Sequence, residues 1–313
     1  MRSDPLLLTC VGLSHDRALL PHFVAHYRSL GIRPERFRVL LNATDPDDPR
    51  LTETRAWLGE QGIEGVENWI APYTSETMWA ARRDLQKRHA TPADWVLSAD
   101  VDEFHDYPLP LPEMLTACEA RGVDCVQGVF IDRLAPGGTL APVTAAPDIL
   151  EQFPLRAEVG WSLAGGRGLY DRWGTVKLMA MRGPILPSRG GHHPQADQNP
   201  SYLYGLPLGR FRGLERPSWR FRVPTRVHHV HWTEALPARL HQRLATPGVS
   251  AHGRHYGQLQ LDHFAAYGGV ALDHITQDAA ASRRPWQTEV ARLRRRARVL
   301  SLADTLKRMA GRK

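Results

Sequence analysis

The chain has 313 residues, 42% of them hydrophobic and 23% charged, with a formal net charge of +7. That is room for one large domain or two modest ones, with the composition of an ordinary globular protein. No apolar run reaches the length of a membrane span, Met1-Arg2-Ser3-Asp4 leads into an apolar strand instead of a secretory leader, and Cys10, Cys118 and Cys125 form no CxxC pair. A cytoplasmic protein with buried, unpaired thiols is expected, with neither disulfide nor zinc implied.

In chain order, residues 6–11 read as a buried strand and 16–30 as a helix with Leu19, Phe23, Tyr27 and Leu30 on one side, ended by Gly31. A second strand, 37–41, stops at Asn42 and the turn-rich Asp45-Pro46-Asp47-Asp48-Pro49. Residues 51–61 form a short helix and 66–70 a third strand. Residues 75–89 form a helix with Ser75 as its cap and Glu76 in its first turn. A fourth strand from Trp95 completes a β-α-β-α-β-α-β series, which predicts a mostly parallel sheet flanked by helices in the α/β class.

After a helix over 112–121 and a strand over 125–131 the alternation breaks down. Residues 134–218 are rich in Gly and Pro, with only 175–181 reading as strand, and long irregular stretches of this kind usually carry function. Helical periodicity returns over 234–244. The division expected is a domain over 1–245 and a C-terminal extension over 246–313 that ends in a basic amphipathic helix.

The positive charge is uneven. Residues 282–313 hold eleven Lys or Arg against Glu289 and Asp304, a net of +9 that leaves the rest of the chain at −2. Trp286, Val290, Leu293, Ala297 and Leu300 recur at helical spacing between the arginines. Such a stripe either docks on the body with its arginines in water or lies on an anionic membrane at the inner face of the cell. No nucleic-acid recognition motif accompanies it, and a nucleic-acid partner is not expected.

The chemistry concentrates where the buried strand Trp95-Val96-Leu97-Ser98-Ala99 runs into Asp100-Val101-Asp102-Glu103-Phe104. Carboxylates at i and i+2 on extended backbone share a face, so Asp100 and Asp102 are placed to grip one hard cation at the carboxyl end of a sheet strand. An acidic loop closing a strand is the plainer alternative. No GxGxxG or GxxxxGK[ST] motif is present, which weakens dinucleotide and P-loop readings.

Several segments together resemble a family 2-like glycosyltransferase of the GT-A fold, of the bacterial type carrying a DxDEF motif. They are Tyr27-Arg28-Ser29-Leu30-Gly31-Ile32, the strand ending at Asn42, the 94–104 segment, Asp132-Arg133-Leu134-Ala135 with Gly137-Gly138, Gly191-His192-His193, and His228-His229-Val230-His231-Trp232. The resemblance covers roughly residues 5–245. It implies a nucleotide-sugar donor, an acceptor that is a glycan, a lipid-linked molecule or a protein, and Mn2+ or Mg2+ held by Asp100 and Asp102. It also implies a histidine that completes the metal shell. If the segment is extended, His229 and His231 share a face and His228 takes the opposite one, so one of the first pair is favoured.

The remaining assignments keep two readings each. Arg82 and Arg83 face the nucleotide or are solvated; Asn42 meets the nucleoside or serves the turn; Gly12 lets the backbone approach the base. Asp132 and Asp197 are candidates for a general base, with an ion pair or a turn as their alternatives. Glu103 orients a metal ligand or binds the sugar, and His192 touches phosphate or acceptor or is simply exposed. Two rival functions stand beside the transferase. One is another metal-dependent enzyme acting on nucleotides, a nucleotidyltransferase or phosphohydrolase; the other is a binding protein with a vestigial site.

Overall fold

The computed structural model describes residues 4–163, 174–214, 216–278 and 285–310. Residues 164–173 and 215 of the irregular stretch, and 279–284 and 311–313 of the basic tail, lie outside the described residues.

Strands β1 (Leu6–Gly12), β2 (Phe37–Ala43), β3 (Val66–Ile70) and β4 (Trp95–Ser98) run parallel in the order β3-β2-β1-β4, joined by helices α1 (Leu20–Ser29), α2 (Pro49–Glu60) and α3 (Ser75–His89). The order follows burial: every residue of β1 is buried, as a near-continuous apolar run requires of a central strand. In β3 no residue is fully buried, as suits an edge. Helix α1 begins four residues later than the periodicity predicts. The Asp16 carboxylate instead accepts the Gly12 N–H at 2.8 Å, which folds residues 12–19 into turns. The cap of α3 is Thr74, not Ser75: its Oγ1 accepts from the Thr77 N–H at 3.2 Å and the Thr77 hydroxyl oxygen accepts from the Thr74 N–H at 3.3 Å.

Beyond β4 lie β5 (Glu103–Asp106), α4 (Leu111–Glu119), β6 (Cys125–Leu134), α5 (Ile149–Gln152), β7 (Leu155–Glu158), α6 (Gly160–Leu163) and β8 (Val176–Arg182). They are followed by α7 (Pro217–Arg220), β9 (Arg226–His229), α8 (Leu236–Ala245), α9 (Ala251–Tyr267), β10 (Thr276–Gln277) and α10 (Trp286–Ala310). The sheet continues β4-β8-β6-β7-β10 with every one of these neighbours antiparallel, while β9 pairs with β5 and runs parallel to β6. The α/β sheet flanked by helices that was expected is present, parallel in its first half and antiparallel in its second except where β9 lies beside β6. A parallel neighbour needs a crossover of a dozen residues or more, usually helical, and after α3 the long connection from β6 to β9 supplies such a pair while the shorter one from β6 to β7 returns antiparallel.

The extension expected over 246–313 closes back on the body. Phe264 of α9 shares a core with Trp232, Leu236 and Leu240, and β10 adds an edge strand beside β7. Leu293 and Ala297 of α10 join the main core, with Val290 and Leu300 packed against it. Burying a Leu such as Leu293 contributes about 2 kcal/mol. The Trp219 ring lies 4.4 Å from both the Arg292 and the Arg296 guanidinium carbons. Docking on the body, the first of the two alternatives for this stripe, is what the structure shows. The three cysteines are free and buried.

Candidate active site

The site lies where the parallel half of the sheet meets the antiparallel half. Strand register explains what gathers there. β4 pairs with β8 as Leu97 opposite Ala180, so three residues further on Asp100 faces Lys177. In the neighbouring strands Glu103 pairs with His229, and His229 pairs with Asp132. Acidic, basic and imidazole groups distant in sequence are thereby set in adjacent rows.

Asp100 and Asp102 do converge, but through a turn and not the pleat. β4 ends at Ser98, and the Glu103 N–H closes a turn on the Asp100 carbonyl at 2.9 Å. One oxygen from each of Asp100, Asp102 and Glu103 lies within 4.8 Å of the others. Asp100 is held on both sides: Arg82 Nη2 donates to Oδ1 at 2.6 Å and Lys177 Nζ to Oδ2 at 2.9 Å. Burial works against its charge, yet Lys177 and Arg82 keep its carboxyl well below the usual range. Lys177 Nζ also lies 2.7 Å from Glu103 Oε1, while Glu103 Oε2 accepts the Asp100 N–H at 3.1 Å. Burial, with the charges of Asp100 and Asp102, pushes Glu103 up to about 7 against the pull of Lys177.

Asp102 Oδ2 is the centre of a second group. Around it stand His231 Nδ1 at 3.3 Å, Arg239 Nη1 at 3.3 Å and His229 Nε2 at 3.7 Å. Desolvation opposes ionisation here too, but the His231 hydrogen bond and the charges of His229 and Arg239 hold the Asp102 carboxyl well below its ordinary range. The two imidazoles stack with centroids 4.9 Å apart, and His228 turns away toward Asp106 at 3.7 Å, as the alternation expected of an extended segment requires. His229 Nδ1 donates to Asp132 Oδ1 at 3.1 Å. That carboxylate also accepts the Trp232 indole N–H at 2.9 Å and the Val159 N–H at 2.8 Å. Asp132, a candidate base in the sequence, is thus a fully engaged group that orients His229. The His229 imidazole is shifted upward despite its burial, by the Asp132 hydrogen bond and the Asp102 and Asp132 charges; burial lowers His231 to about 4.

The donor set fits a divalent cation. Asp102, His229 and His231 each offer one ligand atom within 4.8 Å of the others, and His229 already has the carboxylate partner that commonly fixes a metal-binding imidazole. Two nitrogens and one oxygen suit Mn2+ better than Mg2+.

Arg82 is fully buried beneath Asp100, with Trp79 against its guanidinium at 4.5 Å. Arg83 points elsewhere and donates to the Pro187 carbonyl at 3.3 Å. The Asn42 amide donates to the Trp69 and Ala71 carbonyls at 3.0 and 2.9 Å, which ties β2 to the end of β3; these bonds serve the junction of two strands, not the turn at Asp45 to Pro49. Gly12 lies under the His15 ring, where an added Cβ would approach to 2.6 Å. Gly191 has φ +68°, and a Cβ there would meet the Trp79 ring at 2.4 Å, so this glycine lets the 191–193 loop close over Trp79 and Lys177. His192 Nδ1 bonds the Val176 carbonyl at 2.7 Å. Asp197 is exposed on the same loop, joined by no hydrogen bond or ion pair to the acidic group among the described residues.

Sequence reading missed Lys177, Arg239 and Asp16. A lone lysine inside the apolar Val176-Lys177-Leu178-Met179-Ala180-Met181 was a signal, since lysine is almost never fully buried unless paired. Arg239 links Asp102 to Asp16, whose Oδ1 is 3.9 Å from its Nη1, and no local pattern marks it.

No protein-family model and no curated protein matches this chain. Among solved structures it is similar to S. aureus TarS. The TarS 1–349 structure shares 10% identity over 83% of this chain and 72% of that one, with a TM-score of 0.31. Its complexes with UDP and with UDP-GlcNAc give 0.33 and 0.30 at the same identity and coverage. A longer TarS chain is covered over 43% of its length. Overlap this slight carries neither a residue role nor a substrate to this chain.

Proposed function

We propose that this protein is a metal-dependent glycosyltransferase that moves a sugar from a nucleoside-diphosphate donor to a glycan, lipid-linked or protein acceptor. The observation that carries the proposal is the grouping of Asp102, His229 and His231 beside the buried Lys177 and Arg82 and the half-buried Arg239, next to the carboxyl end of the parallel strand β4. A pyrophosphate leaving group gains negative charge as the glycosidic bond breaks, and preorganised positive charge stabilises that change. Asp102, His229 and His231 would hold the cation, which when bound supplies Lewis-acid neutralisation of the pyrophosphate. Lys177 and Arg239 add fixed positive charge, Glu103 and Asp100 keep Lys177 in place, and Asp132 fixes the ring of His229.

A second reading has its own support. Arg82, Lys177 and Arg239 already engage both aspartates at 2.6–3.3 Å, an arrangement in which the protein's own cations neutralise the leaving group without metal. Thermal shift and calorimetry with UDP-, GDP- and dTDP-sugars, each with Mn2+ or with EDTA, separate the two. Stabilisation by one nucleotide sugar that needs Mn2+, and that Asp102→Ala abolishes while the apo melting curve stays cooperative, is the expected outcome. Equal stabilisation in EDTA selects the metal-free reading. If no sugar nucleotide binds under either condition, the transferase assignment is wrong.

A further inference from the structure

Helix α10 has a second apolar stripe, opposite the one it docks. Val299, Leu302 and Leu306 are 62%, 61% and 57% exposed, whereas Leu293 and Ala297 are 1% and 3% exposed. At about 100° per residue, positions 295, 299, 302 and 306 fall within roughly 60° of one another and about 180° from the docked positions 290, 293, 297 and 300. The stripe begins at Arg295, and Arg298 beside it is also exposed. Arg212, whose carbonyl accepts a hydrogen bond from Arg296, is exposed on the adjoining loop. Ile70 and Tyr267 are the other exposed large hydrophobic side chains among the described residues, and they lie on other elements.

We propose that this outer face of α10 docks on an anionic lipid surface, with Val299, Leu302 and Leu306 entering the headgroup boundary and Arg295, Arg298 and Arg212 meeting lipid phosphates. Apolar side chains bordered by arginine are the pattern of helices that lie in a membrane interface, where buried apolar area and attraction to anionic lipid add together. No helix among the described residues is long and apolar enough to cross a membrane, so contact here is peripheral. Two features disfavour a second copy as the occupant. A parallel two-fold pairing along this stripe would set Arg295 and Arg298 against their own copies. Three side chains also fall far short of the roughly 800 Å² per partner that a stable interface buries. The inference does not depend on the catalytic reading.

The test is flotation of the full chain with vesicles of equimolar phosphatidylglycerol and phosphatidylcholine, compared with pure phosphatidylcholine, at low and high salt. Partitioning should favour the anionic vesicles by about tenfold and weaken with salt. Leu302→Asp with Leu306→Asp should reduce it by about tenfold, as should Arg295→Glu with Arg298→Glu. All of these positions are exposed, so the melting temperature should not move, and a double variant that melts like the parent certifies the loss as one of binding. Equal partitioning into neutral vesicles, indifference to both double variants, or a concentration-dependent dimer that the leucine variants abolish without any vesicle binding would each overturn the proposal.

Discussion

The two halves of the sheet contribute opposite chemistry to one seam. The parallel half, with the turn after β4, supplies carboxylates: Asp16 after β1, then Asp100 and Asp102. The antiparallel half and α8 supply what binds them, namely Lys177 from β8, His229 from β9, His231 just beyond it and Arg239 from α8, while Arg82 of α3 adds a cation from the parallel side. Lys177–Asp100, His231–Asp102 and Arg239–Asp102 are therefore pairs across the junction, between segments far apart in sequence, while Arg82–Asp100 and His229–Asp132 each lie within one half. The consequence is that the site and the docking of the two halves are one set of contacts, and damage to one should register in the other.

The largest expected effect comes from removing the cation at the seam. Lys177 is 2% exposed and is shared by Asp100 and Glu103, so Lys177→Met leaves two carboxylates in a buried site with one guanidinium between them. Breaking a buried pair from one side costs about 3–5 kcal/mol. Urea unfolding should show a loss of that order, and Lys177→Met combined with Asp100→Asn should recover part of it because fewer charges are stranded. Strict additivity of the two substitutions would show that the halves are not coupled through this contact.

A smaller and more selective effect is expected at Asp132. It lies in β6, and among the metal-ligand candidates of the described residues it bonds His229. Asp132→Asn should weaken Mn2+ binding about 10- to 100-fold, the usual cost of losing the partner of a metal-binding imidazole. Mn2+ affinity measured by calorimetry in the absence of any nucleotide checks this directly. Unaltered affinity would show that His229 is not a ligand, and would turn the comparison toward a seam built from Lys177 and Arg239 alone.

The same division decides how much was legible. In β1 to β4 the central strands β1 and β4 are near-continuous apolar runs and strands alternate with helices, so local pattern is enough to place Asp100 and Asp102 just past the end of a sheet strand. The pairing of His229 with His231 was legible too, because alternation is a property of consecutive residues. Register is not: that Lys177 faces Asp100, or that His229 lies beside Asp132, depends on strand pairings set by long irregular connections whose length carries no code. Helix α9 was missed because Gly253 and Gly257, together with His252, His255 and His263, blur its apolar face. The second stripe of α10 was missed because the docked stripe is the stronger of two superposed periodicities. The role of Asn42 turned on where β3 ends, which the sequence of β2 does not contain.

The smallest effect should come from His26, which stands at the seam without entering the site. It projects from α1 onto β5, with Nε2 3.0 Å from the His105 carbonyl and its ring 5.3 Å from Phe104. Burial lowers its pKa to about 4, the carbonyl contact only partly opposing this. The unfolded chain, where a histidine titrates near 6.5, therefore binds the proton that the folded chain refuses. The contribution is complete above pH 6.5 and is lost as pH falls toward 4, so stability must decline with acidification across that window. For a partly exposed ring the loss is on the order of 1 kcal/mol by pH 5. His26→Gln keeps a polar atom facing the His105 carbonyl and removes the titration. Denaturant unfolding of the two proteins at pH 7 and pH 5 should give curves that differ more at the higher pH and converge at the lower. A parallel decline in both would place the acid sensitivity of the seam in other buried histidines.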